Sequence, residues 1–270
     1  MADDLQRFQY GGRERSYHIH IPENINEPVP LVLVFHGALD NAFVMEGISG
    51  FTEKAMKEKF IVVYPNGTNE YDGSTSGLTW NGGNCCGYAD VEKVDDTGFV
   101  RALIEKIKKE YSVDSARIYA AGFSNGALLS YRLACNASDI FAAVAPVSGS
   151  LEPECSPKHP VAVIAFNGTA DLKVLYDGGY SPVIEGSKYD TPVSFARSFW
   201  VKRNACDLQP EVERNENFIH EIYSKCKTGS GVEFYAIEGG EHEWPQSQKG
   251  LSATDLIWEF FKSHPKQKSL

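Results

Sequence analysis

Ser124 stands in the stretch YAAGFSNGAL, residues 119–128, with Gly122 and Gly126 on either side and apolar runs beyond them. A serine hydroxyl is a weak nucleophile until a base takes its proton and a carboxylate orients that base. Two later stretches supply such groups. Asp171 follows the apolar run VAVIAFNG, and His242 follows VEFYAIEGG. The glycines allow the sharp strand-to-helix turn that would present the hydroxyl. These residue types, in this order, point to attack on an acyl carbon through a covalent intermediate.

Rival residues fit less well. His18 and His20 share one face of an alternating strand, and His159 precedes the strand that leads to Asp171. His220 lies in a polar segment between two cysteines, and His264 lies in the C-terminal tail. Among carboxylates Asp177 is the runner-up to Asp171, which sits nearer its strand end, while Asp190 reads as a loop or cap residue. His36-Gly37 closes the run LVLVFHG. The backbone N–H groups of Ala38 and Asn125 are the expected donors to a developing oxyanion, with His36 holding the loop.

Positioning these groups requires strands that end on one side of a sheet. Buried runs at 31–37, 60–67, 116–122, 141–149 and 161–168, with VEFYAIEGG last, alternate with helical segments near 42–59, 97–111, 126–135 and 192–204. Continuous apolar runs mark strands covered on both faces, so the expected fold is α/β, a mostly parallel central sheet with helices on both faces. The order Ser124, Asp171, His242 is that of an α/β-hydrolase. A single domain over 1–270 is expected, with N-terminal strands at about 8–30 and a C-terminal helix at about 252–264 opened by Ser252 and Asp255 as a capping box. Asp96 reads as the cap of the helix at 97–111, and Asp95 as part of a loop network. The loops at about 68–95 and 172–191 are long enough to carry specificity.

Composition narrows the partners. A net charge of −10 offers no basic footprint for nucleic acid. No apolar run reaches the roughly eighteen residues of a membrane span. Six cysteines without metal-like spacing favour disulfides over zinc and imply an oxidising compartment, although the opening MADDLQRFQY has no basic or apolar signal character. Cys206 with Cys226 is the first expected pair; Cys135 and Cys155 flank the strand after the nucleophile helix, so that one or both could reach Cys85 and Cys86. Sequons stand at Asn66, Asn136 and Asn167.

The motifs FHG at 35–37, WNGGNCCG at 80–87, VDDTGF at 94–99, GFSNGA at 122–127, NGTAD at 167–171 and EHEWP at 241–245 span nearly the whole chain. With these motifs the chain resembles the secreted esterases grouped around feruloyl esterases, acetyl xylan esterases and polyhydroxybutyrate depolymerase-like proteins. The resemblance implies a serine ester hydrolase with Ser124 as nucleophile, Asp171 as acid and His242 as base, no cofactor and no metal. It implies an extracytoplasmic setting and an acylated plant polysaccharide as substrate. A polyester depolymerase, a serine peptidase of the same fold and a silent carbohydrate-binding homologue are the alternatives. Trp80 and Trp244 are candidates for lining the substrate pocket, with packing as the competing role. Glu241 and Gln246 stand where the family often has glycine.

Overall fold

The computed structural model describes residues 5–246 and 250–267; the first four residues of the opening stretch lie outside them. An N-terminal hairpin, β1 (Gln6–Tyr10) and β2 (Arg13–His20), leads into β3 (Val29–Phe35), helices α1 (Ala42–Ser49) and α2 (Phe51–Glu58), and β4 (Ile61–Pro65). A long loop containing the short helix α3 (Gly87–Val91) reaches α4 (Asp96–Glu110), β5 (Val113–Phe123) and α5 (Asn125–Asn136). Then come β6 (Ala143–Val147), β7 (Ala162–Gly168), a small ribbon of β8 (Gly179–Tyr180) and β9 (Tyr189–Asp190), and α6 (Val193–Arg203). Strands β10 (Glu211–Arg214), β11 (Phe218–Tyr223) and β12 (Val232–Ile237) precede α7 (Ala253–Ser263).

Ten strands form one sheet in the order β1-β2-β4-β3-β5-β6-β7-β12-β11-β10. The run from β4 to β12 is parallel, and antiparallel strands flank it at both edges. Side chains alternate across β3: Leu31, Leu33 and Phe35 belong to the core shared with α4, α5 and α6, while Val32 and Val34 belong to the core shared with α1, α2 and α7. Burial on both faces is the reason the parallel strands read as unbroken apolar runs. The expected α/β-hydrolase architecture is the one observed.

Several local expectations change. The helical region at 42–59 is two helices, because Gly50 at φ 64° takes the left-handed conformation that ends α1 and opens α2. The cap of α4 lies one residue earlier than expected. Asp95 accepts the Gly98 N–H at 2.9 Å, which leaves Asp96 inside the helix and buried. There its carboxylate pairs with the buried Arg15 guanidinium at 2.8 Å and accepts the Asn81 N–H at 2.8 Å, while Arg15 also lies 3.7 Å from the Phe99 ring centroid. The edge hairpin β10–β11 escapes a reading by apolar runs because β10, EVER, is exposed throughout.

The disulfides join Cys85 to Cys86, Cys135 to Cys155 and Cys206 to Cys226. The last is the expected pair. Cys135 and Cys155 do not reach the adjacent cysteines; they close on each other. Of the sequon asparagines, Asn66 and Asn167 are buried and hydrogen-bonded within the fold, and Asn136 is exposed.

Removing Asp96 leaves a buried guanidinium without its counter-charge, whereas Asp95 contributes a cap. Asp96→Ala is expected to lower unfolding free energy by about 3–5 kcal/mol, and Asp95→Ala by about 1 kcal/mol, both read from urea denaturation. Equal losses would contradict this division of roles.

Candidate active site

Ser124 sits between the end of β5 and the start of α5 with φ 55° and ψ −118°, a conformation that L-residues rarely adopt. Close backbone packing imposes the turn. A side chain at Gly122 would place its Cβ 2.2 Å from the Gly126 carbonyl oxygen, and one at Gly126 would meet the Phe35 carbonyl oxygen at 2.3 Å. The Ser124 N–H donates to the Val147 carbonyl at 3.0 Å, which ties the turn to the end of β6. Both glycines are therefore needed for contact between backbones.

The hydroxyl meets His242, whose Nε2 lies 2.8 Å from Ser124 Oγ. On the other side of the ring, Nδ1–H donates to Asp171 Oδ2 at 2.7 Å. The second oxygen of Asp171 accepts the N–H groups of Lys173 at 2.8 Å and Val174 at 3.0 Å, which fixes the carboxylate in its own loop. The loops carrying these residues are bound together. Ala170 N–H donates to Gly240 O at 2.9 Å, Gly239 N–H donates to Thr169 Oγ1 at 2.8 Å, and a Cβ on Gly168 would meet Gly240 O at 2.2 Å. Phe123 packs against the His242 ring with centroids 4.9 Å apart. The structure thus brings together three side chains separated by up to 118 positions in the chain.

The loop after β3 lies close to Ser124: a Cβ on Gly37 would stand 3.5 Å from Ser124 Cβ. Among the described residues, neither Ala38 N–H nor Asn125 N–H donates to an acceptor of the chain. His36 is fully buried, with Nδ1–H donating to Gly37 O at 2.7 Å and Nε2 accepting the Gly67 N–H at 3.0 Å. Burial pushes its imidazole down from 6.5 to about 4, so it is neutral and structural.

The Asn125 side chain has a part that sequence reasoning missed. Its Oδ1 accepts the Trp80 N–H at 2.7 Å, and its Nδ2 donates to Trp80 O at 3.0 Å and to Cys85 O at 2.9 Å. No local signal announced it, because the partners are backbone groups 40 and 45 positions away in the chain.

Both tryptophans expected at the pocket belong to the core. Trp80 is 0% exposed and donates Nε1–H to His36 O at 3.1 Å; Trp244 is 4% exposed and donates to Thr254 Oγ1 at 3.0 Å. Their indole N–H groups are satisfied by the fold, and their rings meet Phe35 and Phe51 in edge-to-face contacts. Asp177 is exposed, and Asp190 is buried with its carboxylate accepting the Ser150 hydroxyl at 2.7 Å. His220 lies on β11 between Glu213 and Glu233. Glu241 is exposed.

The family described as Esterase PHB depolymerase matches residues 15–171, from within β2 to Asp171 itself. The chain belongs to this PHB depolymerase esterase family. His242 lies beyond the matched segment, so its place beside Ser124 comes from the geometry. This family member is 32% identical over 248 residues to feruloyl esterase B of Piromyces equi, covering 88% of this chain and 42% of that protein. It is 31% identical to a bifunctional acetylxylan esterase/xylanase of Neocallimastix patriciarum, covering 96% of this chain and 34% of that protein. The chain therefore spans less than half the length of these two relatives. Against feruloyl esterase C of Emericella nidulans the identity is 29%, covering 94% and 85% of the two chains. The solved acetyl xylan esterase from Aspergillus awamori superposes with a TM-score of 0.67 at 15% identity over 97% of this chain and all of that one, a likeness of fold.

The His36 imidazole carries a pH dependence. Its pKa is lower folded than unfolded, so between pH 6.5 and about 4 the unfolded chain binds a proton that the folded one does not. Stability is fully present above pH 6.5 and is lost as pH falls toward 4, by roughly 3 kcal/mol in all. Urea denaturation at pH 7 and pH 4.5 should show a fall that is smaller in His36→Gln; equal falls would remove His36 as a source.

Proposed function

We propose that this protein is a serine carboxylic-ester hydrolase that works through an acyl-enzyme. The observation that carries the reading is the continuous relay from Ser124 Oγ through His242 to Asp171, with contacts of 2.8 and 2.7 Å. His242 Nε2 takes the hydroxyl proton as Oγ bonds to the ester carbonyl carbon, and Asp171 holds the ring in the Nδ1–H tautomer and offsets the imidazolium charge. The carbonyl oxygen gains the negative charge and is received by the N–H groups of Ala38 and Asn125. Collapse breaks the ester C–O bond, and His242 returns its proton to the departing alcohol. Water then attacks the acyl-enzyme, His242 takes its proton, and the acid leaves as Ser124 regains its hydrogen.

The family, together with relatives named feruloyl and acetylxylan esterases, supports an acylated plant polysaccharide as the substrate. The family description itself supports the second reading, a depolymerase of hydroxybutyrate polyester. Three disulfides support work in an oxidising, extracytoplasmic compartment.

A panel of methyl ferulate, acetylated xylan and hydroxybutyrate oligomers separates these readings by rate. Ser124→Ala should fold and lose about 10⁴-fold to 10⁶-fold in kcat; Asp171→Asn should lose about 10⁴-fold with the site otherwise intact. Full turnover of every ester by the Ser124→Ala protein would end the proposal.

A further inference from the structure

The loop that follows Asp171 carries an exposed aromatic pair with no part in the relay. Tyr180 on β8 and Tyr189 on β9 are directly opposed in register, so their side chains leave the same face of the ribbon. Their ring centroids lie 5.5 Å apart at 77°, edge to face, and the residues remain 67% and 52% exposed. Unlike the singly exposed Tyr71 and Phe43, these two aromatic residues pair with each other in water and make one continuous apolar patch.

The ribbon is held firmly. Asp190, next to Tyr189 and on the opposite face, is buried and accepts the Ser150 hydroxyl at 2.7 Å. Thr191 Oγ1–H donates to Leu151 O at 2.6 Å, and Lys188 pairs with the buried Asp90. Asn84 Nδ2 donates to the Tyr189 carbonyl at 2.6 Å, and the next residue, Cys85, accepts from the side chain of Asn125, the neighbour of Ser124. The pair is thus a fixed platform linked through two hydrogen bonds to the nucleophile turn, and the loop bearing it starts at the triad carboxylate.

We infer that Tyr180 and Tyr189 form a subsite for the sugar chain that carries the ester. The inference rests on the proposed esterase reading. A pyranose presents an apolar C–H face ringed by hydroxyl groups. A tyrosine offers an apolar ring face with a hydroxyl at its tip, rigid enough to lose little entropy on contact. Asn84 and Lys188 beside the pair are engaged in holding the ribbon, so recognition falls to the tyrosine rings themselves. A chain charge of −10 favours a neutral backbone over a polyanionic one. A sugar chain held on the pair is placed beside the relay, because Asp190, the neighbour of Tyr189, lies within electrostatic reach of Asp171 and His242.

The test uses Ser124→Ala protein in affinity electrophoresis through gels containing deacylated xylan, where binding is read without turnover. Adding Tyr180→Ala and Tyr189→Ala should weaken retardation about tenfold or more, while Tyr180→Phe with Tyr189→Phe should retain most of it because the stacking faces remain. In the otherwise wild-type enzyme, the double alanine change should raise KM on acetylated xylan about tenfold more than on 4-nitrophenyl acetate. Undiminished xylan retardation in a folded double alanine variant, or a loss confined to adsorption on polyhydroxybutyrate film, would overturn the subsite. If the alanine variant fails to fold, loss of xylan retardation in the phenylalanine variant with unchanged thermal unfolding would overturn the stacking role. Failure of the wild-type protein to hydrolyse any ester would instead strike the esterase reading and leave the xylan retardation to decide the subsite by itself.

Discussion

The buried carboxamide of Asn125 is the contact on which the rest of the site depends. It is the first residue of α5, so its backbone is fixed by the nucleophile turn, while its side chain holds both the N–H and C=O of Trp80 and the C=O of Cys85. Trp80 in turn donates to the His36 carbonyl, and Leu39 N–H donates to Leu78 O, so the segment at 78–86 braces the loop that bears Ala38. Both N–H groups assigned to the oxyanion are consequently fixed by one network. In a water-poor interior each of these polar atoms would be costly to leave unpaired, which makes the arrangement cooperative.

That network holds a backbone which would relax by itself. Ser124 at positive φ costs on the order of 1–3 kcal/mol, a cost sustained only where the surroundings over-determine the geometry. Here the surroundings are the parallel strands and the helices covering both faces, packed until carbonyls of β3 and α5 lie where glycine Cβ atoms would be. The same device recurs on the far side of the site, where Gly168 lets the Asp171 loop lie against Gly240. Small residues place the three strand ends close enough for a relay.

Chemistry and selectivity occupy different parts of the chain. The relay sits at the carboxyl ends of β5, β7 and β12, which the core makes rigid. The long loops at 68–95 and 172–191, to which the proposal assigns selectivity, meet each other through Asn84 and Tyr189 and through Lys188 and Asp90. Loops anchored to a fixed scaffold can vary without disturbing the reacting groups.

The sequence by itself determined the parallel core and the chain order of Ser124, Asp171 and His242. Period, strand-end position and turn glycines are local signals, and local signals survive in one dimension. Only the tertiary structure decided that Trp80 and Trp244 are core, that Cys135 closes on Cys155, that Asp96 faces Arg15 and leaves the cap to Asp95, and that Asn125 works through its side chain. The exposed strand β10 was equally illegible because an edge strand has one neighbour and no obligation to be apolar. Each of these outcomes depends on which distant backbone arrives beside a side chain. Burial and hydrogen-bond satisfaction belong to that three-dimensional neighbourhood, and residue type alone does not carry them.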